Sequence, residues 1–298
     1  VPPSSGSSPE RRLALACLAI AVVGWGFNWP IIKVLLREWP PLFARGTSGL
    51  CGAAALALAA VAAGESLKLP RGIGLRLAWA SFTNVFAWMG FSTIGLLWLD
   101  VAEAALLVYT MPIWAMILAW PIAGERPQAR QVAALVLSFV GVVVLLAGGG
   151  VGLNSAKWPG ILLMLTSAIL FALGAATSRT PLPLAPVVST AWQVGLGCLP
   201  MVILGLVFER DRIGGLGPEA WAAWAYMAFV PMGLCYLTWF VAVRGLGAAS
   251  ASLGMLLAPV VGVTSAAWAL GEEFGPRQIL ALTLTLGGVA LALRRQDG

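Results

Sequence analysis

The chain has 298 residues, 60% hydrophobic and 10% charged, with a mean hydropathy of +0.91. A soluble domain carries roughly 25% charged residues, so this composition cannot clothe a water-facing surface and describes an all-α polytopic membrane protein. The net charge of +6 is spread along the chain, which points away from nucleic acid, and the absence of histidine removes His-ligated metals, Ser-His triads and HExxH chemistry together.

The opening residues 1–12, "VPPSSGSSPERR", are Pro- and Ser-rich and are expected to form a disordered cytoplasmic head. The apolar run that follows exceeds the roughly 7–15 residues of a signal-peptide core and reads as a first transmembrane helix. A crossing needs about 20 apolar residues. Breakers and charges then punctuate ten spans: 13–36, 41–63, 73–98, 101–123, 129–147, 158–179, 185–207, 218–243, 247–270 and 277–294. Short connections such as "GESLKLPRG", "GGGVGLNSAK" and "ERDRIGGLGP" leave no soluble domain. Cys17, Cys51, Cys198 and Cys235 sit in apolar runs without CxxC spacing and read as small buried residues.

Span one carries "GWGFNWPIIKV". Trp25, Asn28 and Trp29 are spaced i, i+3, i+4 and share a helix face. Asn28 lies about 22 Å along the span, within hydrocarbon, too deep for an interfacial tryptophan belt. An amide there must face protein or a wet cavity, either as packing glue or as part of a binding site. Lys33 lies about 30 Å along and is expected to snorkel. Arg45, early in span two, is left between headgroup anchoring and an acid such as Asp100 or Glu103.

Span three aligns Asn84, Trp88 and Phe91, and span eight aligns Met232, Tyr236 and Trp239. Such stripes serve packing or an aromatic pocket for an amphipathic solute. Asp100 and Glu103 share a face where span four begins, placed for the helix dipole, for proton coupling or for a substrate amine. Pro112 and Pro259 fall mid-span in spans four and nine. Each lacks an amide and leaves a carbonyl, of Val108 and Met255 respectively, without its donor, and suits a hinge beside Tyr109 and Thr110. Glu125 and Glu272 fall at helix ends on opposite sides. "AGGGVGL" lacks the Walker Lys-Ser/Thr, so no ATP cradle and no cofactor or metal is expected.

The segments "PIWAMILAWPIAGERPQARQ" from Pro112 and "PVVGVTSAAWALGEEFGPRQ" from Pro259 align without gaps and continue to Gly141 on Gly288. Glu125 falls on Glu272, Arg130 on Arg277 and Gln131 on Gln278. The chain reads as two five-helix repeats, 13–148 and 149–298. Five is odd, so the repeats are inverted, an arrangement common in transporters. Lys and Arg cluster on the side of both tails, which the positive-inside rule assigns to the cytoplasm.

These features resemble the drug/metabolite transporter superfamily in its EamA branch: "WGFNWPIIK", the mid-helix prolines, and the pairs Gly124-Glu125 and Gly271-Glu272. Within the branch the Trp-rich spans look most like YddG-type aromatic amino-acid exporters. The resemblance implies a secondary transporter in a bacterial inner membrane, not an enzyme, exporting amino acids or other metabolites or drugs by alternating access. A channel and an intramembrane enzyme are the more distant alternatives. The second copy carries "FALGAATSR" opposite "GWGFNWPII", so the halves cannot bind substrate symmetrically. Trp25, Asn28, Trp29, Asn84, Trp88, Tyr109, Thr110, Tyr236 and Trp239 are the candidate binding residues. The cavity is expected between spans one, three, four, six, eight and nine, with five and ten peripheral. The oligomeric state is left open.

Overall fold

The computed structural model describes residues 8–124, 129–146, 155–178 and 180–293, and among these every regular element is helical. In chain order they are α1 (Ser8–Leu35), α2 (Pro41–Ala62), α3 (Gly74–Ser81), α4 (Ser92–Gly95), α5 (Val101–Val108), α6 (Met111–Ala123), α7 (Ala129–Leu146), α8 (Trp158–Thr177), α9 (Pro186–Phe208), α10 (Pro218–Phe229), α11 (Cys235–Leu246), α12 (Ala248–Met255), α13 (Ala258–Leu270) and α14 (Pro276–Leu293). Six stretches are long and apolar enough to cross a membrane: Pro9–Leu35, Pro41–Ala62, Val101–Ile122, Ser155–Thr177, Pro186–Phe208 and Pro218–Leu246. The segments 258–270 and 276–291 are shorter and apolar. Of the expected disordered head 1–12, residues 1–7 lie outside the described residues, as do Glu125, Arg126, Arg179 and the final arginines, while residues 8–12 are not disordered but open α1.

Several helices open with proline in the first turn, where its missing amide is no loss: Pro41, Pro186 and Pro218. Gly124 and Gly271 end α6 and α13 in the left-handed conformation, with φ of 71° and 69°. That is the helix-stopping role a side chain would strain, and it accounts for the glycine of each repeated Gly-Glu pair.

Besides short 3-10 turns at Ser155–Lys157 and Arg210–Arg212, two segments inside longer helices are π-helical. A π-helical segment, Phe82–Phe91, links α3 to α4, and a second, Val230–Leu234, links α10 to α11. Pro112 and Pro259 do not kink continuous helices as expected from sequence. The chain breaks at residues 109–110 and 256–257, and each proline sits in the first turn of the following helix. The Thr110 hydroxyl donates to the Leu107 carbonyl at 2.5 Å and secures the first break.

Small residues let the helices approach closely. α2 lies along α9, where a Cβ on Gly46 would fall 2.8 Å from the Val202 amide nitrogen. α1 packs on α11 and α13; α8 packs on α6 and the first π-helical segment. α7 and α14 pair mainly with each other. There the Ser138 hydroxyl donates to the Thr285 carbonyl at 3.1 Å, and the Thr285 hydroxyl returns a bond to the Ser138 carbonyl at 3.4 Å. A Cβ on Gly141 would meet the Ala281 carbonyl, and one on Gly288 the Ala134 carbonyl, so this contact is reciprocal residue by residue.

Candidate functional site

A cavity of about 490 Å³ opens at the end of the bundle where α3 begins and α8 ends. Its walls include Arg76, Trp79, Asn84, Gln193 and Phe240. The polar groups hold one another in place. Asn84 Nδ2 donates to Gln193 Oε1 at 3.0 Å, and Gln193 Nε2 to the Ser189 hydroxyl at 2.9 Å. Trp79 Nε1 donates to the Thr177 hydroxyl at 2.8 Å, and Arg76 to the Thr180 carbonyl. The expected wall omitted span seven, yet α9 supplies Pro186, Ser189, Thr190 and Gln193, and spans one, four and nine supply nothing. α9 can take this place because Gly197 lets it press against Val85. Neither α7 nor α14 contributes to this wall. Gln193, alone in an apolar helix, was a signal the sequence offered.

The predicted binding residues divide into three groups. Trp25, Tyr236 and Trp239 form an aromatic cluster, with Trp25 edge-on to Tyr236 at 5.3 Å and to Trp239 at 6.0 Å. Trp25 Nε1 donates to the Pro231 carbonyl at 3.0 Å, using an acceptor in the second π-helical segment. Tyr236 in turn contacts Phe240, which ties this cluster to the cavity holding Asn84. A second group packs. Trp29 is only 6% exposed and lies over Gly262, where no Cβ stands in its way. Tyr109 packs against the same core. Trp88 lies tilted against Phe171 with ring centroids 5.4 Å apart, and its carbonyl accepts hydrogen bonds from the Ser92 and Ser167 hydroxyls. Thr110 is buried, its hydroxyl spent on Leu107 and on Trp114 Nε1 at 3.1 Å.

Asn28 stands apart, accepting a long bond of 3.4 Å from Arg45 Nη1. Arg45 neither reaches headgroups nor faces Asp100 or Glu103. It is 6% exposed and touches Asn28 and the Met227 sulfur.

The opposite end of the bundle is held by charge. Lys33 bonds Glu272 Oε1 at 2.8 Å instead of snorkelling, and lies 3.8 Å from Asp100. Lys157 bonds Glu103 at 2.7 Å and lies 3.8 Å from Asp100. Glu272 Oε2 accepts the Val101 amide at 2.8 Å, and Glu103 accepts the Asp100 amide at 3.1 Å, so both carboxylates cap the start of α5. The cluster joins α1, α5, the start of α8 and the segment after α13. Two more carboxylates cap distant helices at this end: Glu209 takes the Leu42 and Phe43 amides of α2, and Glu38 takes the Gly217 amide before α10. Sequence reading could not pair these residues, because each partner comes from a remote part of the chain.

A sequence profile described as the EamA-like transporter family matches residues 12–147 and again 158–294. An uncharacterized transporter, YvbV of Bacillus subtilis (strain 168), is 31% identical over 80% of this chain and 73% of its own. A probable amino-acid metabolite efflux pump of Salmonella typhimurium (strain LT2) is 27% identical, covering 94% of both chains. A probable terminal-alkyne amino-acid exporter of Streptantibioticus cattleyicolor is 27% identical over 96% of this chain and 95% of its own. A solved crystal structure superposes with a TM-score of 0.69 at 23% identity, covering 94% of this chain and 96% of that one, which supports the fold alone.

Proposed function

Since the chain belongs to the EamA-like transporter family, we propose that it is a secondary exporter of small organic solutes, amino acids first among them and aromatic ones favoured, working by alternating access. Members of this family are transporters and not enzymes; this chain is an integral membrane protein whose partners are a small-molecule substrate and lipid.

The observation that carries the reading is a cavity open at one end of a bundle whose other end is held by ion pairs. A channel would need both ends passable at once, so the closed end favours a carrier. In the proposed topology ten spans form two inverted repeats, 13–148 and 149–298, in a bacterial inner membrane. The double profile match, the reciprocal Ser138–Thr285 bonds and the matching helix breaks support this. Lys and Arg placement supports a cytoplasmic side for both termini and for the open cavity. The ion-paired end is then the external gate, with Asp100 and Glu103 acting in it.

Aromatic selectivity rests on the Trp25, Tyr236 and Trp239 cluster beside the polar Asn84–Gln193 pair, a lining suited to an amphipathic solute. Two relatives are named for outward transport, one as an efflux pump and one as an exporter. The test is counterflow in proteoliposomes. Saturable exchange of labelled phenylalanine or tryptophan against the same unlabelled solute is expected. Flux that rises linearly with concentration, without counterflow, would overturn the carrier reading.

A further inference from the structure

Arg45 is a buried cation that the fold does not neutralise. It sits in the first turns of α2 and is 6% exposed. No described carboxylate pairs with it. The acid that α9 brings towards this end, Glu209, is spent on the Leu42 and Phe43 amides. Asp100, Glu103 and Glu272 are spent on Lys33, Lys157 and the start of α5.

Guanidinium carries five N–H donors in a flat fork. In Arg45, Nη1 has the 3.4 Å bond to Asn28 Oδ1 and a 3.7 Å contact with Met227 Sδ. Nε is buried with no partner, and Nη2 takes none among the described residues. The unused side is therefore the Nε–Nη2 edge, whose two parallel N–H groups match the two oxygens of a carboxylate. Leaving a buried charge unpaired is costly, and a fold that keeps one needs a counter-ion from somewhere.

The surroundings extend this site. The Asn28 amide keeps its Nδ2 donor free of any described acceptor. Tyr236 packs on the cluster containing Cys198, which lies against Gly49 one turn along α2 from Arg45, and the Tyr236 hydroxyl makes no hydrogen bond among the described residues. Tyr236 touches Trp25 on one side and Phe240, at the cavity wall, on the other. A solute entering the open end would thus meet the Asn84–Gln193 pair, then the aromatic faces, then Arg45.

We propose that Arg45 binds the carboxylate of the transported solute side-on, with Asn28 as the neighbouring donor, so that the site selects carboxylate-bearing solutes over the matching amides and amines. This rests on the transporter reading above and narrows its substrate class. The aromatic cluster receives the apolar part of the solute, and Arg45 fixes its charged end.

The experiment is competition in counterflow, with thermal protection of the detergent-purified transporter as a second readout. The probes are phenylalanine, 3-phenylpropionate, phenylalaninamide and sodium chloride. In the native protein phenylalanine and 3-phenylpropionate should compete and protect, with phenylalaninamide about tenfold weaker, the loss of one charge-assisted interaction. Arg45→Gln should bring acid and amide to the same strength, and Arg45→Lys should keep the acid preference. Should Arg45→Gln not assemble, the native protein and Arg45→Lys still decide the matter through the acid-to-amide ratio. An amide as effective as the acid in the native protein would overturn the proposal. So would an acid preference that survives in Arg45→Gln, or protection by chloride equal to that by phenylalanine, which marks a resident inorganic anion. If 3-phenylpropionate protects through Arg45 while no amino acid exchanges, the carboxylate site stands and the amino-acid reading falls.

Discussion

At one end of the bundle, five charged side chains from remote parts of the sequence meet at the start of α5. At the other end, amides, hydroxyls and Arg76 line an open cavity. The first end is fastened by bonds between remote elements, which the proposed transport cycle would have to part. The second is fastened by bonds within each wall or across neighbouring walls, and it is already parted. The proposed carrier would need a gate whose bonds are strong enough to hold yet few enough to break together, and among the described residues the charged end has that form.

Breaking the charged end should have the largest effect. Glu272→Gln weakens the bond to Lys33 and the cap on Val101. A charge-assisted hydrogen bond is worth about 1.5–3 kcal/mol, so the balance between closed and open should shift about tenfold to a hundredfold. The measurement is alkylation of a single reporter cysteine at Ala102, in a background without the four native cysteines. An unchanged rate would mean that these ion pairs do not hold the gate.

The distant caps should matter next, and to stability more than to gating. Glu209→Gln and Glu38→Gln weaken caps on α2 and α10. Each should lower the apparent melting temperature by about 2–4 °C. A static end-piece requires that neither substitution change alkylation at Ala102, and a change there would merge caps and gate into one unit.

A smaller effect is expected from the helix breaks. Pro112→Ala and Pro259→Ala fall in the first turns of α6 and α13, where the missing amide is no loss, so each acts only by loosening the break before it, with a shift of about twofold. If the halves are inverted twins, one substitution should raise labelling at the charged end and the other at the open end. Shifts in the same direction would break the pairing of these two sites.

Arg76→Gln should do least. Arg76 is exposed, and its hydrogen bonds among the described residues go to the Thr180 and Pro181 carbonyls. Its removal should change stability by less than about 0.5 kcal/mol and leave Ala102 labelling unaltered. A loss as large as that of Glu209→Gln would show that the two ends do not differ in kind.

The placement of the helices was legible because proline, glycine and charge punctuate apolar runs. The expected span 41–63 is α2, and 158–179 is α8 but for its last residues. The π-helical segment Phe82–Phe91 was not legible, since it contains no proline and its residues suit an α-helix equally well. The spacing of Trp25, Asn28 and Trp29 gave a shared face but not its neighbours. Trp25 turned out beside Tyr236 and Trp29 against Gly262, because side-chain reach and the small residues opposite decide which tryptophan packs. The charge cluster was hidden for a different reason. Lys33 and Glu272 are 239 residues apart, and nothing local in either stretch names the other.

The bonds between Ser138 and Thr285 have a bearing on ancestry. Each residue gives to the other what it receives, as equivalent residues do where two identical subunits meet across a two-fold axis. A seam of this kind needs no second sequence to form. Two copies of a half-length protein could close it with themselves, and a fusion of their genes would inherit it ready-made. The α7–α14 seam thus has, within a single chain, the reciprocal form of a homodimer interface.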